Sequence, residues 1–184
     1  MLRQLPNAIS MARLLAGSVL FGLALAGYER AFAWVLVPAL LSDIFDGLIA
    51  RLYHLESRLG AILDSVADEL LMIVSAYGMW VFHRYVFEQH ALLVWLALGL
   101  WLVEALISLL RYRRLSSFHT YASKVAANAL GLFVIVLFVF GFQQWLFYVA
   151  VWMAILATLE ELVLLAVLPE WRTNVRGLWW VVQK

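Results

Sequence analysis

The sequence predicts an all-α integral membrane protein with six transmembrane helices and a short N-terminal interfacial helix, and three observations carry that expectation. Of 184 residues, 66% are hydrophobic and 14% charged, against about 45–50% and about 25% in soluble domains. Too few charges remain to coat a surface in water. The apolar residues fall in long continuous runs near the roughly 20 residues that a spanning helix needs, without the period-two alternation of a membrane barrel. Lys and Arg gather at one set of run ends, the pattern of loops held in the cytoplasm. Nine Trp, eleven Phe and seven Tyr suit the membrane–water interfaces, where amphipathic rings collect. The chain has no cysteine, which excludes disulfide, zinc-thiolate and iron–sulfur chemistry. The formal net charge of +1 singles out no partner, and no nucleic acid is expected.

In chain order, Pro6, Asn7, Ser10 and Arg13 mark an interfacial segment over about residues 1–12 that leads into the first span, 12–27. The basic start, apolar run and Ala24-Leu25-Ala26 also fit a secretory signal, but an apolar start followed by further spans reads as a retained helix. The second and third spans, 31–50 and 61–82, hold most of the intramembrane acids, and the fourth, 91–110, runs into a basic cluster. Gly141 to Gln144 punctuate the chain between the fifth span, 121–142, and the sixth, 145–168. Pro169 closes the sixth span, since proline cannot continue a helix without losing a hydrogen bond. With no linker or evident repeat, residues 1–184 are expected to form one membrane domain.

Eleven of the thirteen basic residues lie at one set of span ends, and only Arg30 and Arg84 lie at the other. Retention of positive charge in the cytoplasm then puts both termini there, together with the loops after spans two and four. Only an even number of spans satisfies that distribution.

The acids form a pattern. Asp43-x-x-Asp46-Gly47-x-x-Ala50-Arg51 closes the second span, and after eight residues Gly60-x-x-x-Asp64-x-x-x-Asp68 opens the third. Residues three or four apart share a helix face, so each pair of carboxylates projects one way. The short connection makes the two helices antiparallel neighbours, and four carboxylates converge about 12 Å from the cytoplasmic loop at 1.5 Å per residue. Such a cluster repels itself unless cations sit within it. Oxygen-only ligands suit hard divalent ions such as Mg²⁺ or Mn²⁺, and two ions held by carboxylates clamp phosphate oxygens during phosphoryl transfer. Gly47 and Gly60 let a diphosphate or base approach the backbone, and Arg51 can pair a phosphate. The competing structural reading pairs the acids with Arg51 and Arg58 across the hairpin. It satisfies at most two of the four, and buried ion pairs seldom offset their desolvation.

The string from Asp43 to Asp68 resembles, at every defining position and spacing, the motif of the CDP-alcohol phosphotransferase family, integral membrane enzymes of phospholipid synthesis. Residues 6–13 are similar to the N-terminal segment of its phosphatidylglycerophosphate synthase branch. The resemblance implies six spans, a cytosol-facing site, two divalent cations, a homodimer, and attack by an acceptor hydroxyl on a CDP-linked donor with CMP leaving. It implies that Asp43, Asp46, Asp64 and Asp68 are metal ligands, with Asp68 also the base for the acceptor hydroxyl. Asp43, Gly47, Ala50, Arg51 and Gly60 would shape the CDP pocket.

The acceptor side is carried by basic residues. Arg111 and Arg114, with Arg113 between them, close the fourth span, and Lys124 opens the fifth on a face shared with Asn128. They either bind an acceptor phosphate or attract anionic lipid; Lys124 is the residue chosen for the acceptor. His119, Thr120 and Tyr121 read as the end of a loop. Glu104, Ser108 and Arg111 share a face, so Glu104 is read as orienting a basic residue. Val103 stands where the phosphatidylglycerophosphate synthase branch carries Arg, which leaves glycerol 3-phosphate open as acceptor. Glu160 and Glu161 suggest only a dimer contact or a polar floor. The expected function is transfer of a phosphatidyl group from CDP-diacylglycerol to a small polar alcohol within a lipid bilayer. The alternatives are transfer from a soluble CDP-alcohol to diacylglycerol, or a carboxylate-lined cation transporter. The transporter reading predicts acids across the whole bilayer, whereas these four sit at one end.

Overall fold

The computed structural model describes the backbone of residues 5–53, 58–113, 118, 120–168 and 175–182, and the side chains of 10–42, 66–113, 118, 120–168 and 175–181. Among these the chain is helix and connecting turn, with no strand. Eight helices follow in order: α1 (Leu5–Leu25), α2 (Glu29–Tyr53), α3 (Arg58–Phe82), α4 (Arg84–Gln89), α5 (Ala91–Tyr112), α6 (Tyr121–Phe140), α7 (Gln144–Val167) and α8 (Leu178–Val182). Among the described residues three helices, α5, α6 and α7, are long and apolar enough to cross a membrane, and Ser10–Leu25 is a shorter apolar stretch. Helices α2 and α3 are each 25 residues long, and the acidic motif lies toward the end of α2 and the start of α3.

Two expectations about boundaries change. The interfacial segment is not a separate helix: α1 runs without a break from Leu5 to Leu25. Pro6 stands in its first turn, where the missing N–H has no intrahelical partner to lose, so it starts the helix instead of interrupting it. The short helices α4 and α8 were not expected. Their apolar runs are too short for the helical period to show.

The chain divides into two compact units, Met1–Tyr85 and Val86–Lys184. In the first, α1 packs on both α2 and α3, and α2 packs on α3. The buried positions of α1 are Ser10, Arg13, Gly17, Leu20 and Ala24, a 3-4-3-4 spacing that makes one continuous seam. Helix α2 contributes Phe32, Leu36 and Ala39, and α3 contributes Ala67, Leu71 and Val74. Phe32 near the start of α2 fills the gap left by Gly78 near the end of α3, where an added Cβ would lie 2.2 Å from the ring. That contact fixes the two helices as an antiparallel pair. At the same end, Glu29 Oε1 lies 3.4 Å from His83 Nε2. Burial lowers the His83 pKa, and the nearby Glu29 carboxylate opposes that shift without reversing it.

In the second unit α7 packs against both α5 and α6. The α6–α7 turn is closed by an aromatic group in which the His90 ring lies 4.7 Å from Phe147 and 5.4 Å from Phe142. Thr120 caps α6, its hydroxyl accepting from the Ser123 N–H at 3.1 Å, so the residue read as a loop end is the first residue of helix organisation. The C-terminal segment docks on this unit through three hydrogen bonds. Val175 N–H donates to Phe118 O at 2.9 Å and Tyr121 N–H to Arg176 O at 3.3 Å. Leu178 N–H donates to Glu160 Oε1 at 2.9 Å. Beneath them Phe118, Leu164, Leu165 and Leu168 form a buried cluster against which Val175, Leu178 and Val181 pack.

Gly177 sits at φ +152°, and a Cβ there would lie 2.9 Å from Glu160 Oε1. A Gly177→Ala substitution is therefore expected to push Glu160 off the Leu178 N–H. Leaving that group without its acceptor costs about 1–3 kcal/mol. Limited proteolysis should then cut the C-terminal segment about tenfold faster than in the parent protein, with the rest of the chain cut at the same rate.

Candidate functional site

The site is built on the α2–α3 hairpin. In α2 positions 43, 46 and 50 follow the buried positions 32, 36 and 39 at helical spacing in the sequence, and the backbone stays helical to Tyr53. In α3 positions 60 and 64 precede the buried positions 67, 71 and 74 at helical spacing in the sequence, within a helix that begins at Arg58. Positions 43 and 46 lie three residues apart on α2, and 64 and 68 lie one turn apart on α3. The side chains of Asp43, Asp46, Gly47, Ala50, Arg51, Gly60 and Asp64 lie outside the described residues.

Asp68 is described, and Arg13 lies against it. Its carboxylate Oδ1 accepts from Arg13 Nη1. The Arg13 side chain is 0% exposed and that of Asp68 is 45% exposed. Arg13 was read from the sequence as one of the basic residues marking the cytoplasmic end. The overlooked feature was its spacing from Ser10 and Gly17, which puts it on the protein-facing seam of α1.

The donor set consists of carboxylate oxygens alone, spaced by three residues on α2 and four on α3. Such a set fits a hard divalent cation, which takes oxygen ligands in preference to nitrogen or sulfur. Among the described residues no group of three or more His, Cys, Asp or Glu side chains is gathered in ligating positions; three of the four motif carboxylates lie outside them.

The basic residues of the second unit are deployed differently from one another. Arg111 Nη1 donates to the carbonyls of Leu165 and Ala166 at the end of α7, and its guanidinium lies 5.5 Å from the Tyr112 ring centroid. It thus satisfies carbonyls left open in the last turn of a helix, a common use of arginine. The Tyr112 hydroxyl donates to Leu168 O at 2.6 Å, in the same place. Lys124 is exposed in the first turn of α6, as is Asn128 one turn on. Arg114 and His119 lie outside the described residues. Glu104 and Ser108 are buried on α5, at 4% and 0% exposure. Glu161 on α7 lies close to Glu104 and Glu160. The role of Glu160, open from sequence, is to receive the Leu178 N–H and hold the C-terminal segment.

Comparison with known proteins agrees with the motif. The chain belongs to the CDP-alcohol phosphatidyltransferase family, whose model matches residues 3–159. It is 36% identical over 75 residues to a CDP-diacylglycerol–glycerol-3-phosphate 3-phosphatidyltransferase of Cereibacter sphaeroides, covering 39% of this chain and 34% of that protein. A CDP-diacylglycerol–inositol 3-phosphatidyltransferase of Saccharomyces cerevisiae is 32% identical over 96 residues, or 52% of this chain and 41% of the relative. A CMP-forming cardiolipin synthase of Streptomyces coelicolor is 33% identical over 110 residues, or 56% and 47%. The chain thus spans less than half the length of these curated relatives. No solved structure matches it significantly.

Proposed function

We propose that this protein transfers a phosphatidyl group from CDP-diacylglycerol to a small polar alcohol, releasing CMP, as a step of phospholipid synthesis. The observation that carries the reading is the complete string from Asp43 to Asp68, set on the antiparallel α2–α3 pair of a chain that belongs to this family. The relatives that name CDP-diacylglycerol as donor differ in their alcohol, glycerol 3-phosphate in one and inositol in another. For this chain the acceptor class is a polyol or polyol phosphate, glycerol 3-phosphate included.

Asp43, Asp46, Asp64 and Asp68 are the residues that would hold two divalent cations, Mg²⁺ or Mn²⁺. When bound, such ions neutralise the charge that develops on the pyrophosphate. The chain's own groups do the rest. Gly47, Ala50 and Gly60 leave room for CDP beside the helix backbone, and Arg51 pairs with a phosphate oxygen. Asp68 accepts the proton of the acceptor hydroxyl as its oxygen attacks the lipid-side phosphorus. The bond from that phosphorus to the bridging oxygen breaks, and the electron pair leaves with CMP. The membrane arrangement belongs to the same reading: α1, α2, α3, α5, α6 and α7 are the six spans, both termini and the carboxylate end face the cytoplasm, and the chain works as a homodimer. Charge asymmetry supports the orientation, since eleven basic residues mark one set of ends and two the other.

Mass analysis of the lipid formed from CDP-diacylglycerol and a panel of alcohols tests the reading. A new phospholipid carrying one of the offered headgroups is expected. Product only from CDP-choline and diacylglycerol would reverse the roles of donor and acceptor. Lys124 is assigned to the phosphate of a phosphorylated acceptor. Lys124→Gln should raise the KM for that acceptor about tenfold while changing the KM for CDP-diacylglycerol little, because only one substrate loses an ion pair. Equal effects on both substrates would return Lys124 to the scaffold.

A further inference from the structure

We propose that the C-terminal segment is a bilayer-surface anchor, with α8 lying in the headgroup layer of the membrane and Trp179 and Trp180 turned to lipid. The inference rests on α5, α6 and α7 crossing a bilayer, as in the reading above, and on nothing about the reaction. The first observation is the division of faces on α8. Leu178 and Val181, three residues apart, pack against the buried cluster of Phe118, Leu164, Leu165 and Leu168. Trp179 is 68% exposed and Trp180 48% exposed. The Trp180 ring lies 5.9 Å from that of Tyr121, which is itself largely exposed. A short helix whose outer side faced water would carry polar residues there. Two indoles and a phenol are instead the side chains that collect where apolar chains meet water.

The second observation is depth. The cluster beneath α8 gathers the last turn of α7 and Tyr112 at the end of α5, and the segment bonds to Tyr121 at the start of α6. These are the ends of the three long apolar helices, where a bilayer gives way to water. The Leu178 N–H reaches back to Glu160 Oε1, which lies about 10 Å from the end of α7 at 1.5 Å per residue. The segment thus folds back along the bundle, to the depth of about 5–10 Å at which surface-lying amphipathic segments sit. The third observation is charge. Residues 169–184 hold Arg172, Arg176 and Lys184 against one acid, Glu170. Arg176 is exposed and spends its backbone carbonyl, not its guanidinium, on Tyr121. Such a segment complements a layer of lipid phosphates. A second copy of the chain fits the patch less well. An indole buries about 150–250 Å², so two partly exposed ones fall short of the roughly 800 Å² per partner of a stable interface.

The test uses the full-length protein in nanodiscs of phosphatidylcholine and phosphatidylglycerol. The chain has no cysteine, so Trp179→Cys accepts a single nitroxide label. Electron paramagnetic resonance then reads the depth of the label from its collisions with oxygen, which concentrates in lipid, and with a nickel chelate, which stays in water. The label is expected about 5–10 Å into the boundary between headgroups and acyl chains, with collisions with oxygen exceeding those with nickel. A second measurement keeps the native side chain. The emission of the wild type minus that of Trp179→Phe isolates Trp179, and it should be quenched when the nanodisc lipids carry bromine on their acyl chains.

Access of the nickel chelate equal to that of the free label overturns the proposal, because water then covers the patch. Protection from both reagents, with dipolar broadening that disappears on dilution with unlabelled protein, puts a second copy there and overturns it as well. If Trp179→Cys does not fold, the quenching decides, and Trp179 emission untouched by bromine overturns the assignment. Failure of the underlying readings looks different. A chain that does not span the bilayer would not be retained in nanodiscs at all, and a protein that releases no CMP would still show the label at the same depth.

Discussion

Asp68→Asn is expected to lose at least about a hundredfold in turnover while still binding CDP-diacylglycerol. A positioned general base typically contributes 10²–10⁴-fold, and the asparagine amide keeps the shape of the side chain without its proton affinity. Arg13 lies against Asp68, so the amide oxygen can still accept from the guanidinium. Asp64 lies one turn nearer the start of α3, about 6 Å along the axis at 1.5 Å per residue. Asp64→Asn should weaken metal and donor binding together, because the role proposed for it is ligation. The contrast between the two variants is the signature. If Asp68→Asn kept more than about a tenth of wild-type turnover at saturating Mg²⁺, below the loss expected of a base, Asp68 would not be the base.

Excess EDTA should abolish transfer, and Mg²⁺ or Mn²⁺ should restore it. The physical reason is charge. Two carboxylates 4 Å apart repel by about 4 kcal/mol at an effective dielectric of 20, and the motif places four of them on one hairpin. Arg13 supplies a positive charge to Asp68, which does not balance the set. Divalent cations do so and also carry the phosphate charge. Asp43→Asn should lower the affinity for a CDP nucleotide in the presence of metal and leave it unchanged in EDTA. Full activity in EDTA would contradict the two-metal reading.

Much of this was legible in the chain because membrane segments write themselves as long apolar runs. The structure begins the helices at 29, 58, 91, 121 and 144 where the runs begin at 31, 61, 91, 121 and 145. The hairpin was legible too, since the Arg51-to-Gly60 connection leaves little choice but an antiparallel return, and Phe32 against Gly78 realises it. What was missed depends on which way a polar residue faces. Arg13 and Arg111 are both basic residues near a span end, and a count of charges treats them alike. One lies wholly inside the packing of α1 and α3, and the other donates to the carbonyls that end α7. Only the 3-4 spacing of small residues around Arg13 carried a trace of this. Glu160 left no trace, because its partner is a backbone N–H that the sequence does not display.

The most direct measurement of the central claim is the release of CMP by the purified protein from labelled CDP-diacylglycerol with Mg²⁺, in the presence and absence of an alcohol acceptor. The account predicts CMP release that depends on the alcohol and matches, mole for mole, the phospholipid formed. No CMP release with any polyol or polyol phosphate, in a protein that is folded and metal-loaded, would contradict it.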